Sequence, residues 1–280
     1  MAAGIGAVAG PRELVDESVT ISRELPAQQR EGTEWVPRVL PPIGVELDAN
    51  QVLACGLRIL AAAGCSEHMA GHITVAEPNG LMRVNPWGLW WDEVTASDIC
   101  VVDGDGTVAA GKWDVTPAIH IHTELHRRRA DARVVVHNHP FHVTVLSALG
   151  MVPEVLHQTG CLFDSETGFV DEYTGEIDSA SLGADLADRI GAATVVVLAN
   201  HGVIVTAPTV EEAVYKTAAF ERQCRIAYEV LLGAAAGRPV TTIPASLRPA
   251  MKIALLDRVT EVYWNGWIRR LLRSAPETFS

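Results

Sequence analysis

Three histidines and a proline directly follow a run of β-branched residues in the segment VVVHNHPFH, residues 134–142. Side chains at positions i and i+2 of a strand lie on the same face of a sheet. His137 and His139 are therefore expected to project together, while Asn138 turns away. A pair of imidazoles held in this way can bind one transition-metal ion, and zinc, iron, nickel and copper all accept such ligands.

A third histidine occurs in a similar setting, and a mononuclear site needs one more ligand from elsewhere in the chain. His201 lies in LANHGVIV, behind the apolar run VVVLA and before Gly202, a residue that tolerates close backbone approach. These histidines are either hydrogen-bonded residues at strand ends or metal ligands. The combination of HNHP with NHG favours a metal site formed by His137, His139 and His201.

The elements that must position these histidines are predicted from hydrophobic periodicity and from turn residues. Asp48 is a candidate cap for the first helix, and residues 78–80 (Pro-Asn-Gly) predict a hairpin turn. Helices and strands mix without a regular βαβ order, which predicts an α/β fold with helices packed on a sheet. Helices are predicted at about 47–64, 119–129, 179–190, 210–232 and 249–272, and strands at about 72–77, 81–86, 99–103, 134–139, 194–199 and 203–206.

Composition indicates one large folded domain. A chain of 280 residues with 48% hydrophobic and 20% charged residues can bury a sizeable core. Residues 1–45 carry scattered glycine and proline with short apolar groups, and we expect a partly disordered N-terminal arm there. Residues 46–280 are expected to form the domain, including a C-terminal helix.

Charge and cysteine content limit the classes of partner. The formal net charge of -12 argues against nucleic-acid and anionic-membrane partners and favours a small-molecule substrate. The five cysteines lack CxxC spacing, which is typical of a reducing compartment. The chain shows no start resembling a signal peptide and no run of about 18 uncharged apolar residues, so we expect a cytoplasmic protein.

Five motifs carry a resemblance to a known family: GHITV at 71–75, VNPWG at 84–88, EVTASD at 93–98, HRRRADARVVVHNHP at 126–140 and LANHGVIV at 198–205. The motifs and their order along the chain resemble those of the class II aldolase/adducin family. The resemblance implies a three-layer α/β/α fold with a central, largely antiparallel sheet, and a homotetramer with active sites between subunits. It also implies one divalent metal ion per subunit, Zn2+ or Fe2+, with Mn2+ or Co2+ also possible, held by the residues that match His137, His139 and His201.

Two departures from the family pattern bear on the reaction. Sugar-phosphate aldolases of this family carry Ser-Ser-Glu before the HxH helix, whereas residues 116–118 here are Thr-Pro-Ala. The family's Gly-Asn phosphate-binding pair is replaced by Gly71 and His72. Because Ala118 can neither transfer a proton nor bind a metal, we expect sugar phosphates to be poor substrates. Three neutral imidazoles leave open metal positions for a bidentate ligand, or for substrate and dioxygen.

The sequence WGLWW next to one of these motifs suggests an aromatic wall for a flat or hydrophobic ligand. The alternative is that these tryptophans pack in the core or at a subunit interface. The candidate substrate-binding residues are Gly71, His72, Trp87, Trp90, Trp91 and Thr116.

Other side chains are candidates for the missing acid/base. His157 follows the strand that carries the HxH pair, and an unperturbed imidazole titrates near neutral pH. Tyr263 lies on the C-terminal helix, which is expected to form an oligomer contact and in relatives approaches a neighbour's site. His120, His122 and His126 precede the HxH strand, and we assign them supporting or surface roles.

These features leave three functional hypotheses. The first is a metal-dependent lyase that cleaves a C–C bond beside a carbonyl or carboxylate by aldol-type or decarboxylating chemistry. Its substrate is a non-phosphorylated small molecule, for which an aromatic compound is one option. The second is a non-heme iron(II) oxygenase that oxidatively decarboxylates an arylpyruvate-type substrate, as relatives in aminocoumarin biosynthesis do. The third is a non-catalytic, adducin-like interaction module, against which the three retained histidines argue.

Overall fold

The computed structural model describes residues 39–280, so most of the arm predicted at residues 1–45 lies outside the described residues. Contacts divide the chain into Met1–Pro42 and Ile43–Ser280. The second unit contains all of the helices and strands below. The boundary at residues 45 and 46 stays a prediction.

The described residues contain one eight-stranded sheet, in the order β4-β3-β2-β1-β5-β8-β7-β6. Neighbouring strands are antiparallel, except that β6 and β7 are parallel. The predicted, largely antiparallel sheet is therefore confirmed. The strands are β1 His72–Ala76, β2 Met82–Val84, β3 Cys100–Val102, β4 Val108–Ala110, β5 Val134–Asn138, β6 Thr167–Val170, β7 Val195–Leu198 and β8 Gly202–Ala207.

Helices cover both faces of the sheet. The helices are α1 Ala49–Ala62, α2 His120–Arg128, α3 Phe141–Ala148, α4 Ala180–Ile190, α5 Val210–Ala235 and α6 Arg248–Ser274. Val134 and Val136 of β5 pack with α1, α3, α5 and α6 in one core, whereas Val135 packs with α2 and α4 in the other. This alternation gives the three layers, α/β/α, that the motifs predicted. None of the described helices is both long enough and apolar enough to cross a membrane.

Local signals explain the elements that periodicity predicted. The Asp48 carboxylate accepts a hydrogen bond from the Gln51 amide at 2.9 Å, and the Gln51 side chain accepts one from the Asp48 amide at 3.0 Å. This reciprocal capping fixes the start of α1. The predicted hairpin forms between β1 and β2, with Val75 opposite Arg83.

The structure adds three elements that the sequence did not predict: β4, β6 and α3. All three residues of β4 are exposed, so no hydrophobic alternation marks this edge strand. Helix α3 begins with an exposed Phe141, and the amides of His142 and Val143 donate to the Glu221 carboxylate of α5. Its N-terminus is thus capped from a distant helix, and such a cap leaves no local signal.

Candidate metal centre

Three imidazoles meet at one end of the sheet. His137 lies in β5, His139 follows the end of that strand, and His201 precedes β8 in the turn after β7. Strands β5 and β8 are neighbours, with Asn138 opposite Val203. One ligand nitrogen from each of the three histidines lies within 4.8 Å of the others. The neighbouring strands on which the sequence prediction depended are therefore present, and we call this group the histidine cluster.

Hydrogen bonds determine which ring nitrogens face each other in the cluster. His137 Nδ1 donates to the Val203 carbonyl at 3.1 Å, and His139 Nδ1 donates to the Glu67 carboxylate at 2.9 Å. The Nε2 atoms of His137 and His139 lie 3.3 Å apart. In neutral rings both Nε2 atoms are acceptors, so this contact is unfavourable unless a cation bridges them. The donor set thus fits a transition-metal ion, with both rings oriented by carbonyl or carboxylate partners.

Burial favours the neutral, metal-binding form of His137 and His201. Burial first, and the neighbouring His201 second, hold the pKa of His137 well below its ordinary value. Burial followed by the neighbouring His139 lowers the pKa of His201 to about 4. Desolvation disfavours the imidazolium form, so neither ring carries a proton on its acceptor nitrogen near neutral pH.

A glycine makes the close approach of the two strand ends possible. A Cβ atom on Gly202 would lie 2.3 Å from the Asn138 carbonyl oxygen and 2.7 Å from Cδ2 of His139. A larger residue would displace the ring of His139 or separate β8 from β5. Asn138 faces the opposite side of the sheet, as predicted, where its side-chain amide donates to the Cys65 carbonyl at 2.7 Å.

The histidine cluster opens into a cleft of about 890 Å³, which we call the metal cleft. His139, His201 and Glu67 are among the residues that line it. The aromatic and basic residues that line it include His68, Trp90, Tyr173, Trp267 and Arg270. The rings of His68 and Trp90 are 4.6 Å apart, and the Arg270 guanidinium lies 4.8 Å from the centre of the Trp267 ring. The cleft thus offers flat apolar surfaces and a cationic group beside the cluster.

Comparison with known proteins identifies the family of a chain with this fold and cluster. The sequence profile of the Class II Aldolase and Adducin N-terminal domain matches residues 51–228. The chain belongs to this family. The resemblance carried by the five motifs is therefore confirmed.

Relatives within the class II aldolase and adducin family include proteins named as decarboxylases and as an oxygenase. The 3,4-dihydroxyphthalate decarboxylase of Arthrobacter keyseri is 31% identical over 217 residues, which cover 71% of this chain and 84% of that protein. The 4-hydroxy-3-prenylphenylpyruvate oxygenase/4-hydroxy-3-prenylbenzoate synthase of Streptomyces roseochromogenus subsp. oscitans is 30% identical over 199 residues, 69% of this chain and 70% of that protein. The crystal structure of an aldolase II superfamily protein from Pseudomonas syringae has a TM-score of 0.71 and 25% identity, and the match covers 82% of this chain and 94% of that one.

The structure separates the three tryptophans predicted to bind substrate in this member of the aldolase and adducin family. Trp90 lines the metal cleft. Trp91 is fully buried in the core and donates its indole hydrogen to the Gly71 carbonyl at 3.3 Å. Trp87 is exposed, and its amide donates to the Asp114 carbonyl at 2.7 Å. Within one subunit, Trp90 is therefore the member of this trio that lines the metal cleft, and its contact with substrate stays a prediction.

Gly71 lies against the strand that carries His137, whereas Thr116 is buried at the start of the segment before α2. Gly71 has a φ of +91°, and an added Cβ would lie 2.7 Å from the His137 carbonyl oxygen, so this position requires glycine. Thr116 is buried, and its hydroxyl accepts a hydrogen bond from the Ala118 amide at 3.1 Å. Ala118 itself packs against the core between α2 and α4. Substrate contacts of Gly71 and Thr116 stay predictions.

His72 lies next to the histidine cluster on the same face of the sheet. It pairs with His137 across β1 and β5, and the two ring centres are 5.2 Å apart. His72 Nδ1 lies 2.8 Å from Nε2 of His122 on α2. Burial, followed by the nearby His139 and His201, lowers the pKa of His72 to about 3. His122 is thus a buried partner of a residue beside the cluster, consistent with the supporting role assigned from sequence.

Neither of the two predicted catalytic residues lines the metal cleft of this subunit. His157 lies against α5, where burial first and the Arg222 charge second lower its pKa. Its Nε2 atom is buried without a hydrogen-bond partner among the described residues. Tyr263 packs its ring 5.1 Å from that of Tyr215, and burial raises its pKa to about 12. Catalytic roles for His157 and Tyr263 therefore stay predictions.

Sequence reasoning missed Glu67, Tyr173 and Arg270. Glu67 lies 72 positions before its partner His139, and Arg270 reaches the cleft from the C-terminal helix. Tyr173 lies in an irregular segment after β6, with its ring 6.2 Å from that of His201. For Glu67 the residue type was a usable signal, because a metal-binding histidine commonly donates its other ring N–H to a carboxylate that orients the ring.

Proposed function

We propose that this protein is a metal-dependent lyase that cleaves the C–C bond beside a carboxylate in a non-phosphorylated aromatic molecule. The observation that carries the proposal is the opening of a three-imidazole cluster into a cleft lined by Trp90, Tyr173 and Trp267. Ligand pockets of this kind combine apolar walls with a few polar groups that fix orientation. The names of relatives that decarboxylate aromatic acids support the same reaction class.

Different residues of the cleft would bind the metal ion, the aromatic ring and the carboxylate of the substrate. A divalent ion held by His137, His139 and His201, zinc or iron, with manganese or cobalt as further candidates, would supply Lewis acidity for negative charge that develops on a bound oxygen. Trp90 and Trp267 offer faces on which an aromatic ring stacks. Arg270 offers a guanidinium that pairs with a carboxylate.

The neighbouring arginine is already engaged, which singles out Arg270 as the carboxylate-binding group. Arg58 also lines the cleft, but its Nε donates to the Val94 carbonyl at 2.9 Å and its Nη1 pairs with Glu277 at 3.1 Å. Arg270 instead stacks on Trp267. A stacked guanidinium keeps its in-plane donors directed outward, where they meet an anionic substrate group.

The third position of the Thr-Pro-Ala triplet favours decarboxylation over an aldol reaction. Ala118 stands where sugar-phosphate aldolases of the family carry the glutamate that transfers a proton. Its methyl group is partly buried against the apolar core between α2 and α4, and it offers no group that could transfer a proton there. Loss of carbon dioxide requires no base to deprotonate a substrate hydroxyl before bond cleavage. We therefore place decarboxylation ahead of aldol cleavage.

We further propose a cytoplasmic homotetramer with active sites between subunits. Exposed apolar side chains at Leu247, Ile253 and Val262 on and next to α6 support an oligomer contact at that helix. In such an assembly His157 or Tyr263 can approach a neighbour's cleft and act as acid/base. The acid/base assignment rests on this assembly.

A second candidate is an iron(II) oxygenase that acts on an arylpyruvate-type substrate. The observation in its favour is that the described residues place no carboxylate in the histidine cluster, which leaves coordination positions for a bidentate ligand and dioxygen. A relative named as an oxygenase is 30% identical. A non-catalytic interaction module is the third candidate, and the complete cluster argues against it.

Metal analysis and gas measurement separate these candidates. Protein purified without oxygen should contain one zinc ion per subunit and release carbon dioxide from hydroxylated aromatic acids without oxygen uptake. Bound iron with stoichiometric oxygen uptake from an arylpyruvate would favour the oxygenase. If the protein contains no bound metal and turns over neither the aromatic acids nor the arylpyruvate, the interaction module is the remaining candidate. Fuculose and ribulose phosphates serve as controls and should be poor substrates.

A further inference from the structure

A buried chain of hydrogen bonds connects His72 to the loop before β5. The Ala132 carbonyl bonds to Nδ1 of His126 at 2.7 Å, and Nε2 of that ring lies 2.7 Å from the Thr74 hydroxyl. The same hydroxyl lies 2.7 Å from Nδ1 of His122, whose Nε2 lies 2.8 Å from Nδ1 of His72. We call these four side chains and the carbonyl the histidine relay.

The relay has one possible direction when its rings are neutral, because a carbonyl oxygen only accepts hydrogen bonds. His126 must therefore carry its proton on Nδ1, which makes its Nε2 an acceptor for the Thr74 hydroxyl. Thr74 then accepts from Nδ1 of His122, and Nε2 of His122 accepts from Nδ1 of His72. Each step follows from the one before it. The relay consequently fixes the tautomer of His72, with the proton on Nδ1 and a lone pair on Nε2.

Burial supports the neutral state that this direction requires. His122 is fully buried, Thr74 is fully buried, and His72 is 6% exposed. An imidazolium at these positions would have to be desolvated, which is costly without a paired charge. The sheet also holds the relay rigidly, since Thr74 lies in the centre of β1 opposite Val135 of β5.

The free end of the relay lies beside the histidine cluster. His72 is opposite His137 in the β1–β5 pairing, and their ring centres are 5.2 Å apart. The bond to His122 occupies Nδ1, so Nε2 is directed away from α2. The last group of the relay is thus a fixed hydrogen-bond acceptor beside His137 of the histidine cluster.

We propose that His72 determines specificity by accepting a hydrogen bond from a hydroxyl group of the ligand bound at the histidine cluster. The selected class is a hydroxylated aromatic molecule, and this inference rests on the proposed function of the metal cleft. A neutral acceptor with a fixed tautomer favours a ligand that brings a donor and disfavours one whose hydroxyl is methylated. Thr74, His122 and His126 are positioning residues, because they act through His72.

The test uses zinc-loaded protein with catechol and its monomethyl ether, 2-methoxyphenol, as probes. Dissociation constants measured by titration calorimetry should favour catechol in the wild type. Methylation also weakens chelation of the metal, so the informative quantity is the change in this preference between variants that share the same metal. Thr74→Val removes the hydroxyl and frees the tautomers of His122 and His72. The preference for catechol should then fall about tenfold, whereas Thr74→Ser should retain it.

Nitrogen-15 NMR of histidine side chains gives a readout that is independent of catalysis and of ligand binding. In zinc-loaded wild-type protein and Thr74→Ser, His72 should carry its proton on Nδ1 and none on Nε2. A proton on Nε2 of His72 in the wild type would overturn the proposal, and so would an unchanged preference in Thr74→Val. If the tautomer and the preference agree with expectation but no aromatic acid is turned over, the proposed lyase function fails and the role of His72 stands.

Discussion

The Nδ1 atom of His139 lies 2.9 Å from Oε2 of Glu67, a carboxylate that is 72 positions earlier in the chain. Because a carboxylate only accepts, this bond places the proton of His139 on Nδ1 and directs its lone pair from Nε2 toward His137. The Glu67 side chain also lines the metal cleft. It therefore orients one ring of the histidine cluster and lines the cleft at the same time.

Substitution of Glu67 should weaken metal binding without removing it. Loss of a carboxylate that orients a metal-bound histidine costs about 10–100-fold in metal affinity. Glu67→Ala should lie in that range, and Glu67→Gln should lose less, because the amide oxygen still accepts from Nδ1 of His139. Competition with a chromogenic zinc chelator measures both. Wild-type affinity in Glu67→Ala would show that His139 is oriented by other contacts.

Replacement of any one histidine of the cluster should remove most of the bound metal. His137→Ala, His139→Ala and His201→Ala each take away one of three protein ligands. Elemental analysis after dialysis measures the stoichiometry. The matched control is His157→Ala, which lies against α5 and should keep full metal content. A histidine variant that retains one ion per subunit would exclude that residue as a ligand.

His157→Ala also tests the acid/base prediction. If His157 serves a neighbouring subunit's cleft, the variant should show a lower kcat with near-normal metal content, because proton transfer is lost while binding remains. Steady-state kinetics of the zinc-loaded variant measure this. An unchanged kcat would assign proton transfer to another group.

Gly202→Ala should disturb the cluster through packing alone. The added Cβ would lie 2.3 Å from the Asn138 carbonyl oxygen and 2.7 Å from the ring of His139. We expect a loss of about 1–3 kcal/mol in the free energy of unfolding, typical of overpacking, together with weaker metal binding. Gly233→Ala on α5 is the control, because nothing lies within 4 Å of its added Cβ. Urea unfolding of the two variants measures the difference in stability. Equal stability of Gly202→Ala and Gly233→Ala would contradict this expectation.

Stability should depend on pH through the buried histidines of the relay. Burial lowers the pKa of His126 from 6.5 to about 4, so between these values the unfolded chain binds a proton that the folded protein does not. The stabilising contribution is complete above pH 6.5 and is lost as the pH falls toward 4. His126→Gln should therefore reduce the slope of unfolding free energy against pH by up to about 1.4 kcal/mol per pH unit in this window. Urea unfolding of metal-free protein at several pH values measures the slopes, and equal slopes would contradict the expectation.

Several elements were predictable because their signals are local. The capping pair of Asp48 and Gln51 and the turn at residues 78–80 involve neighbours in the chain, as does the projection of His137 and His139 to one face. Helix α3 was not predictable in this way, since the group that caps it, Glu221, lies on α5.

The sequence by itself determined the chemistry of the cluster, since strand alternation places His137 and His139 together and the motif with His201 marks a second strand end. Only the tertiary structure decided what surrounds it. Of the tryptophans in WGLWW, Trp91 is buried and Trp90 lines the cleft, although their local signals are alike. The contacts of Glu67 with His139 and of Thr74 with His122 join residues that are distant in the chain. Strand order and hydrogen-bond direction, which arise when the sheet assembles, fix these partners and their protons.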